Sequence, residues 1–106
     1  MRRAILIAMV LCCVGAGGAD AVGNGNELYE FCQKPDSSVM RGVCGGYVTG
    51  VSDALRASGS FCWPQGGTRG QVIDVVTIYL RDHPEKRHLL AFDLVSAALM
   101  EKFPCN

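Results

Sequence analysis

Cys44-Gly-Gly-Tyr-Val-Thr-Gly-Val-Ser-Asp-Ala-Leu55 is the stretch on which the fold turns. Together with the residues just before it, it sets Met40, Val43, Cys44, Tyr47, Val51, Ala54 and Leu55 three and four apart, which is helical spacing. Ser37 or Ser38 can cap this helix, and it runs to about Ala57. Gly42, Gly46 and Gly50 recur along one stripe. Each weakens a helix by about 1 kcal/mol relative to alanine, so the stripe is expected to let a neighbouring helix approach closely. A phosphate-binding loop is the sharper reading, but no lysine or strand-then-helix context accompanies the glycines. Asp53 is the lone acid of the stretch. It is expected to face solvent or pair with Arg56 or Arg69, with a partner contact as the alternative.

On the N-terminal side, Val22–Asn26 reads as a flexible lead-in. Glu27–Gln33 reads as a short helix with Leu28, Phe31 and Cys32 on one face and Asn26 as its cap. Lys34-Pro35-Asp36 breaks it. On the C-terminal side, Ser58–Gly67 is a loop, and Thr68 with Gln71 forms a capping box that opens a third helix. Val72, Ile73, Val75, Val76, Ile78, Tyr79 and Leu80 cover more than half of that helix, which is therefore expected to be the central, most buried one. Pro84 ends it. A fourth helix is expected from Glu85 to Lys102, with Phe92, Val95, Leu99 and Phe103 on one face, before Pro104 stops it. The fold class is all-α: a single small bundle of about four helices.

The 106 residues begin with the parts of a secretory signal. Arg2 and Arg3 are the charged start, Ala4–Val14 an apolar run, and Ala19-Asp20-Ala21 a cleavage site. The run is roughly half of what a membrane span needs, so residues 1–21 read as a removable signal and 22–106 as an exported, periplasmic domain. Leu11 before Cys12, and Cys12 before Cys13, argue against lipidation. Removing Arg2, Arg3 and Asp20 takes the 10 basic and 10 acidic residues to 8 and 9, a formal charge of −1. That balance speaks against nucleic acid or a membrane surface as the partner.

Of the six cysteines, Cys32, Cys44, Cys62 and Cys105 remain after cleavage. An even count in a small exported chain reads as a disulfide framework, and a domain of this size needs such staples. Three pairings are possible. If consecutive long helices are antiparallel, the ends of the second and fourth lie together. This favours Cys32–Cys44 with Cys62–Cys105.

The same cysteines are too widely spaced for zinc, which uses close pairs, and their use in disulfides leaves no thiol nucleophile. His83 suits a helix C-terminus and His88 the first turns of the next helix, so neither points to catalysis. No metal or cofactor is expected. Trp63 lies in the Gly/Ser/Pro-rich loop beside Cys62. It is either a binding anchor or a lid folded onto the core.

The ordered set Cys44-x-Gly46-Tyr47-x-x-Gly50-x-x-Asp53-Ala54, Phe61-Cys62-x-Pro64-x-Gly66, Thr68-x-x-Gln71, Tyr79-Leu80-x-x-His83-Pro84-Glu85, His88, Ala91, Leu94-Val95, Ala98-Leu99 and Phe103-Pro104-Cys105 resembles the Rap/Tai family of periplasmic immunity proteins. The resemblance covers nearly all of residues 22–106. Known members protect a bacterium against peptidoglycan amidases injected by neighbours through the type VI secretion system. The resemblance implies an all-helical disulfide-bonded fold, an amidase effector as partner, in many members a homodimer that plugs the amidase cleft, and no catalysis. Two positions depart from the pattern. Gly67 replaces an apolar residue and is expected to loosen the loop. Leu90 replaces proline and is expected to let the fourth helix start early. These matching positions specify architecture more than function. A small helical chaperone, or an envelope accessory protein without a toxin partner, is the rival reading.

Overall fold

The computed structural model describes residues 22–106; the expected signal over 1–21, with Cys12 and Cys13, lies outside the described residues. Four helices follow in order: α1 (Gly25–Cys32), α2 (Val39–Ala57), α3 (Arg69–Asp82) and α4 (Ala91–Lys102), with a 3-10 turn at Pro84–Lys86. Among the described residues there is no strand, only an isolated antiparallel bridge between Asn24 and Leu90. The expected all-α bundle stapled by two disulfides is therefore what the chain forms.

Local sequence sets the helix ends. The Ser38 hydroxyl accepts from the Met40 N–H at 3.2 Å, one of the donors a helix start leaves unpaired. The capping box at α3 closes in both directions. The Gln71 N–H donates to the Thr68 hydroxyl at 3.1 Å, and the Thr68 N–H to the Gln71 side-chain oxygen at 3.4 Å. At the far end of α3, His83 is the C-cap, and its ring Nδ1 lies 2.8 Å from the Tyr79 carbonyl.

The core runs through all four helices. Leu28, Val48, Phe61, Val76, Leu80, Val95 and Leu99 are each 2 % exposed or less, and burying a side chain of this size stabilises by about 1.5–3 kcal/mol. Cys32 pairs with Cys44 and Cys62 with Cys105, each with Cα atoms 5.0 Å apart. The second bond, together with the Cys62 N–H donating to the Phe103 carbonyl at 2.9 Å, brings the ends of α2 and α4 side by side.

Several expectations are corrected. Asn24, not Asn26, caps α1, its side chain accepting from the Glu27 N–H at 3.1 Å. The lead-in is tied down: Ala91 donates to Gly23 at 3.2 Å, Gly25 to Leu89 at 3.0 Å and Asn26 to Arg87 at 2.8 Å. That pairing also delays α4, which begins at Ala91 rather than Glu85. The chain from Arg87 to Leu90 is spent on the N-terminal segment, with Leu90 extended at φ −59° and ψ 135°. His88 therefore lies in an exposed turn rather than in a helix. Phe92, expected on the same face as Val95 and Leu99, points outward instead, 48 % exposed. The deepest helix is α4, with six of its 12 residues buried against five of 14 in α3. Its small residues, Ala91, Ser96 and Ala98, let the neighbouring helices close around it.

The glycine stripe of α2 receives no helix. A Cβ added at Gly42, Gly46 or Gly50 would meet nothing within 4 Å. The close approach falls instead at Gly25, where a Cβ would collide with the Leu94 side chain and come within 2.9 Å of the Arg87 carbonyl.

Candidate functional site

The loop from Ser58 to Gly67 leaves α2, dips into the core at Phe61 and returns to cap α3. Phe61 is 1 % exposed and so fixes the loop from below. Cys62, next along, is held by its disulfide and by its N–H bond to Phe103. Phe61 and Phe103 lie 6.3 Å apart between ring centroids, in a tilted arrangement that aromatic pairs favour.

Trp63 is half-buried and folded back onto this base. Its indole N–H donates to the Gly67 carbonyl at 3.2 Å, and its ring lies 6.4 Å from that of Phe61. The Arg56 guanidinium sits 5.1 Å from the Trp63 ring centroid, within cation–π range. Arg56 is thus engaged with Trp63, and none of the ion pairs among the described residues includes Asp53, which is exposed on α2.

Gly67 tightens the loop, contrary to expectation. Its N–H donates to the Pro64 carbonyl at 2.9 Å, and a Cβ there would fall 2.7 Å from Pro64 Cγ, 3.0 Å from Pro64 O and 3.1 Å from Trp63 Nε1. Gly66 supports the turn at φ 77°, the left-handed region that glycine enters freely.

Two further surfaces escaped the sequence reading. A groove of about 380 Å³ between α3 and the end of α4 is lined by Val75, Ile78, Tyr79, Asp82, Glu101 and Lys102. On α4, Phe92 and Met100 are half-exposed. Between α2 and α4, burial and then the Asp93 carboxylate push the Tyr47 hydroxyl above its ordinary range.

The four cysteines of the described residues are locked in disulfides, and no group of three or more metal-ligating side chains gathers among those residues. No helix of the described residues is long and apolar enough to cross a membrane.

A family model, that of the Rap1a immunity proteins, matches residues 24–105. The chain belongs to this family. No curated protein and no solved structure matches it. The matched span runs from the Asn24 cap of α1 to Cys105, so it takes in the whole bundle and both disulfides. A Rap1a immunity protein has an immunity role against a secreted effector, and the expected kinship with Rap/Tai-type immunity proteins is borne out. Binding a toxin effector is what that role requires. The two disulfides fit an oxidising compartment.

Proposed function

We propose that this Rap1a-family chain is a periplasmic immunity protein that binds and inhibits a peptidoglycan amidase effector delivered by a type VI secretion system. The observation that carries the reading is the family match over residues 24–105. The resemblance to Rap/Tai proteins supplies the amidase and the secretion system, and the disulfides support the compartment. In this reading residues 1–21 are a signal removed after Ala21, and residues 22–106 act by occlusion rather than catalysis.

Trp63 is the residue we assign to partner contact. Its loop is braced by Phe61 and by the Cys62–Cys105 bond, so presenting the half-exposed indole costs little ordering on association. The surface that meets the effector need not carry a shared motif, because it is shaped to one toxin.

The test is affinity capture with tagged, oxidised protein exposed to envelope and secreted extracts at neutral and at acid pH. One stoichiometric peptidoglycan amidase captured at neutral pH, its activity abolished by the bait, is the expected result. Many unrelated clients held only in acid would replace the immunity reading with the chaperone one. A Trp63→Ala bait with unchanged helicity and undiminished capture would remove Trp63 from the interface.

A further inference from the structure

The two disulfides differ in what surrounds them. Cys44 is fully buried and Cys32 is 6 % exposed, enclosed between α1 and α2. Cys62 and Cys105 are both exposed, and the Cys105 sulfur lies 3.9 Å from the Gly59 carbonyl. We propose that Cys62–Cys105 is a redox clasp. A dithiol opens it ahead of Cys32–Cys44 and frees the Trp63 loop and the segment after Phe103, while the four helices stay packed.

Thiol–disulfide exchange needs a thiolate to reach a sulfur along the S–S axis, so access comes before intrinsic reactivity. A dithiol thiolate attacks the Sγ of Cys62 or Cys105 and forms a mixed disulfide. The other cysteine leaves as a thiolate and takes up a proton. The second thiol of the reagent then attacks, which releases the remaining cysteine. The cystine is reduced to two thiols and the dithiol is oxidised to its disulfide.

One feature works in the opposite direction. The Arg41 guanidinium lies 3.5 Å from Cys44 Sγ and would stabilise a departing thiolate there. It acts only after α1 and α2 have parted, because Cys44 is fully buried and Cys32 nearly so in the packed bundle. Access therefore decides the order.

What remains after the clasp opens is enough to keep the bundle. Phe61 stays in the core, the Cys62 N–H still reaches the Phe103 carbonyl, and Cys32–Cys44 still joins the first two helices. Trp63 is held more lightly, by one hydrogen bond to Gly67 and by Arg56 over its ring. As the only tryptophan in the chain, it reports directly on the loop.

The experiment exposes the oxidised protein to a graded dithiol series, traps free thiols by alkylation and maps them by mass spectrometry. Helicity and tryptophan emission are followed in parallel. Cys62 and Cys105 should label at least roughly tenfold faster than Cys32 and Cys44, which must wait for local opening. Helicity should hold while Trp63 emission shifts in step with the first pair. Joint or reversed labelling would overturn the proposal, as would loss of helicity with the first pair or an emission that does not move. The double variant Cys62→Ser with Cys105→Ser checks the opened state without reagent. It should be helical with the shifted emission, and an unfolded double variant would also overturn the clasp.

Discussion

Ser52 is 1 % exposed on α2, and its hydroxyl has no hydrogen-bond partner among the described residues. A buried hydroxyl that gives up water without a replacement bond costs free energy. Ser52→Ala removes that group and leaves no large void, so it should stabilise the protein by up to about 1 kcal/mol, read as a higher midpoint in urea. A lower midpoint would mean that the hydroxyl finds a partner in solution. Gly67 behaves in the opposite way. Its backbone is unstrained, but a methyl group would press on the Pro64 carbonyl, which cannot swing aside as a side-chain tip could. Gly67→Ala should cost about 1–3 kcal/mol as an overpacking change and should shift the fluorescence of Trp63. An unaltered emission would show that the loop absorbs the methyl elsewhere. From the chain alone Gly67 looked like a loosening substitution, because the space it fills is bounded by residues whose positions only the folded loop defines.

The helices that sequence pattern identifies well are those whose ends are set locally. Thr68-x-x-Gln71 announces α3 within four residues, and Ser38 starts α2 just ahead of its apolar stripe. The start of α4 was not legible in this way, since Leu90 is extended by pairing with Asn24 at the other end of the domain. That geometry also accounts for the departure at this position. Leu90 has φ −59°, which a proline ring adopts unstrained, and its N–H donates to no backbone carbonyl among the described residues. Leu90→Pro should therefore stabilise by about 0.4–1 kcal/mol through the unfolded chain, with α4 still starting at Ala91. A destabilised variant would locate strain at Leu89, the residue a proline restricts. The glycines of α2 are a second case in which pattern gave the right element and the wrong neighbour. Spacing placed Gly42, Gly46 and Gly50 on one stripe, yet nothing packs there. With no contact to lose, Gly46→Ala should gain up to about 1 kcal/mol of helix stability, and a loss on thermal melting would argue that a second molecule fills the stripe.

At the scale of the whole molecule, much was legible from four cysteines and the order of the helices. Taking successive long helices as antiparallel puts the ends of α2 and α4 together, and Cys62–Cys105 follows from that; Cys32 and Cys44 bracket one short turn. The candidate site was legible only as the loop beside Cys62. The inward hold on Trp63 by Gly67 and Arg56, and the groove between α3 and α4, depend on side chains that meet only in three dimensions. So does the environment of Tyr47. Tyr47 is pushed above its ordinary value of 10.0, first by burial and then by Asp93. The folded state thus holds the phenolic proton more tightly than the unfolded chain does. Above pH 10.0 the unfolded chain releases that proton first, so unfolding is favoured as pH rises toward the folded value, while the contribution is fully present only below pH 10.0. Urea midpoints should accordingly fall through this alkaline window, and Tyr47→Phe should make the fall shallower while keeping the helices. Asp93→Asn should also make it shallower, by less, because burial is the larger cause. If the Tyr47→Phe and parent slopes coincide, the alkaline loss belongs to other groups.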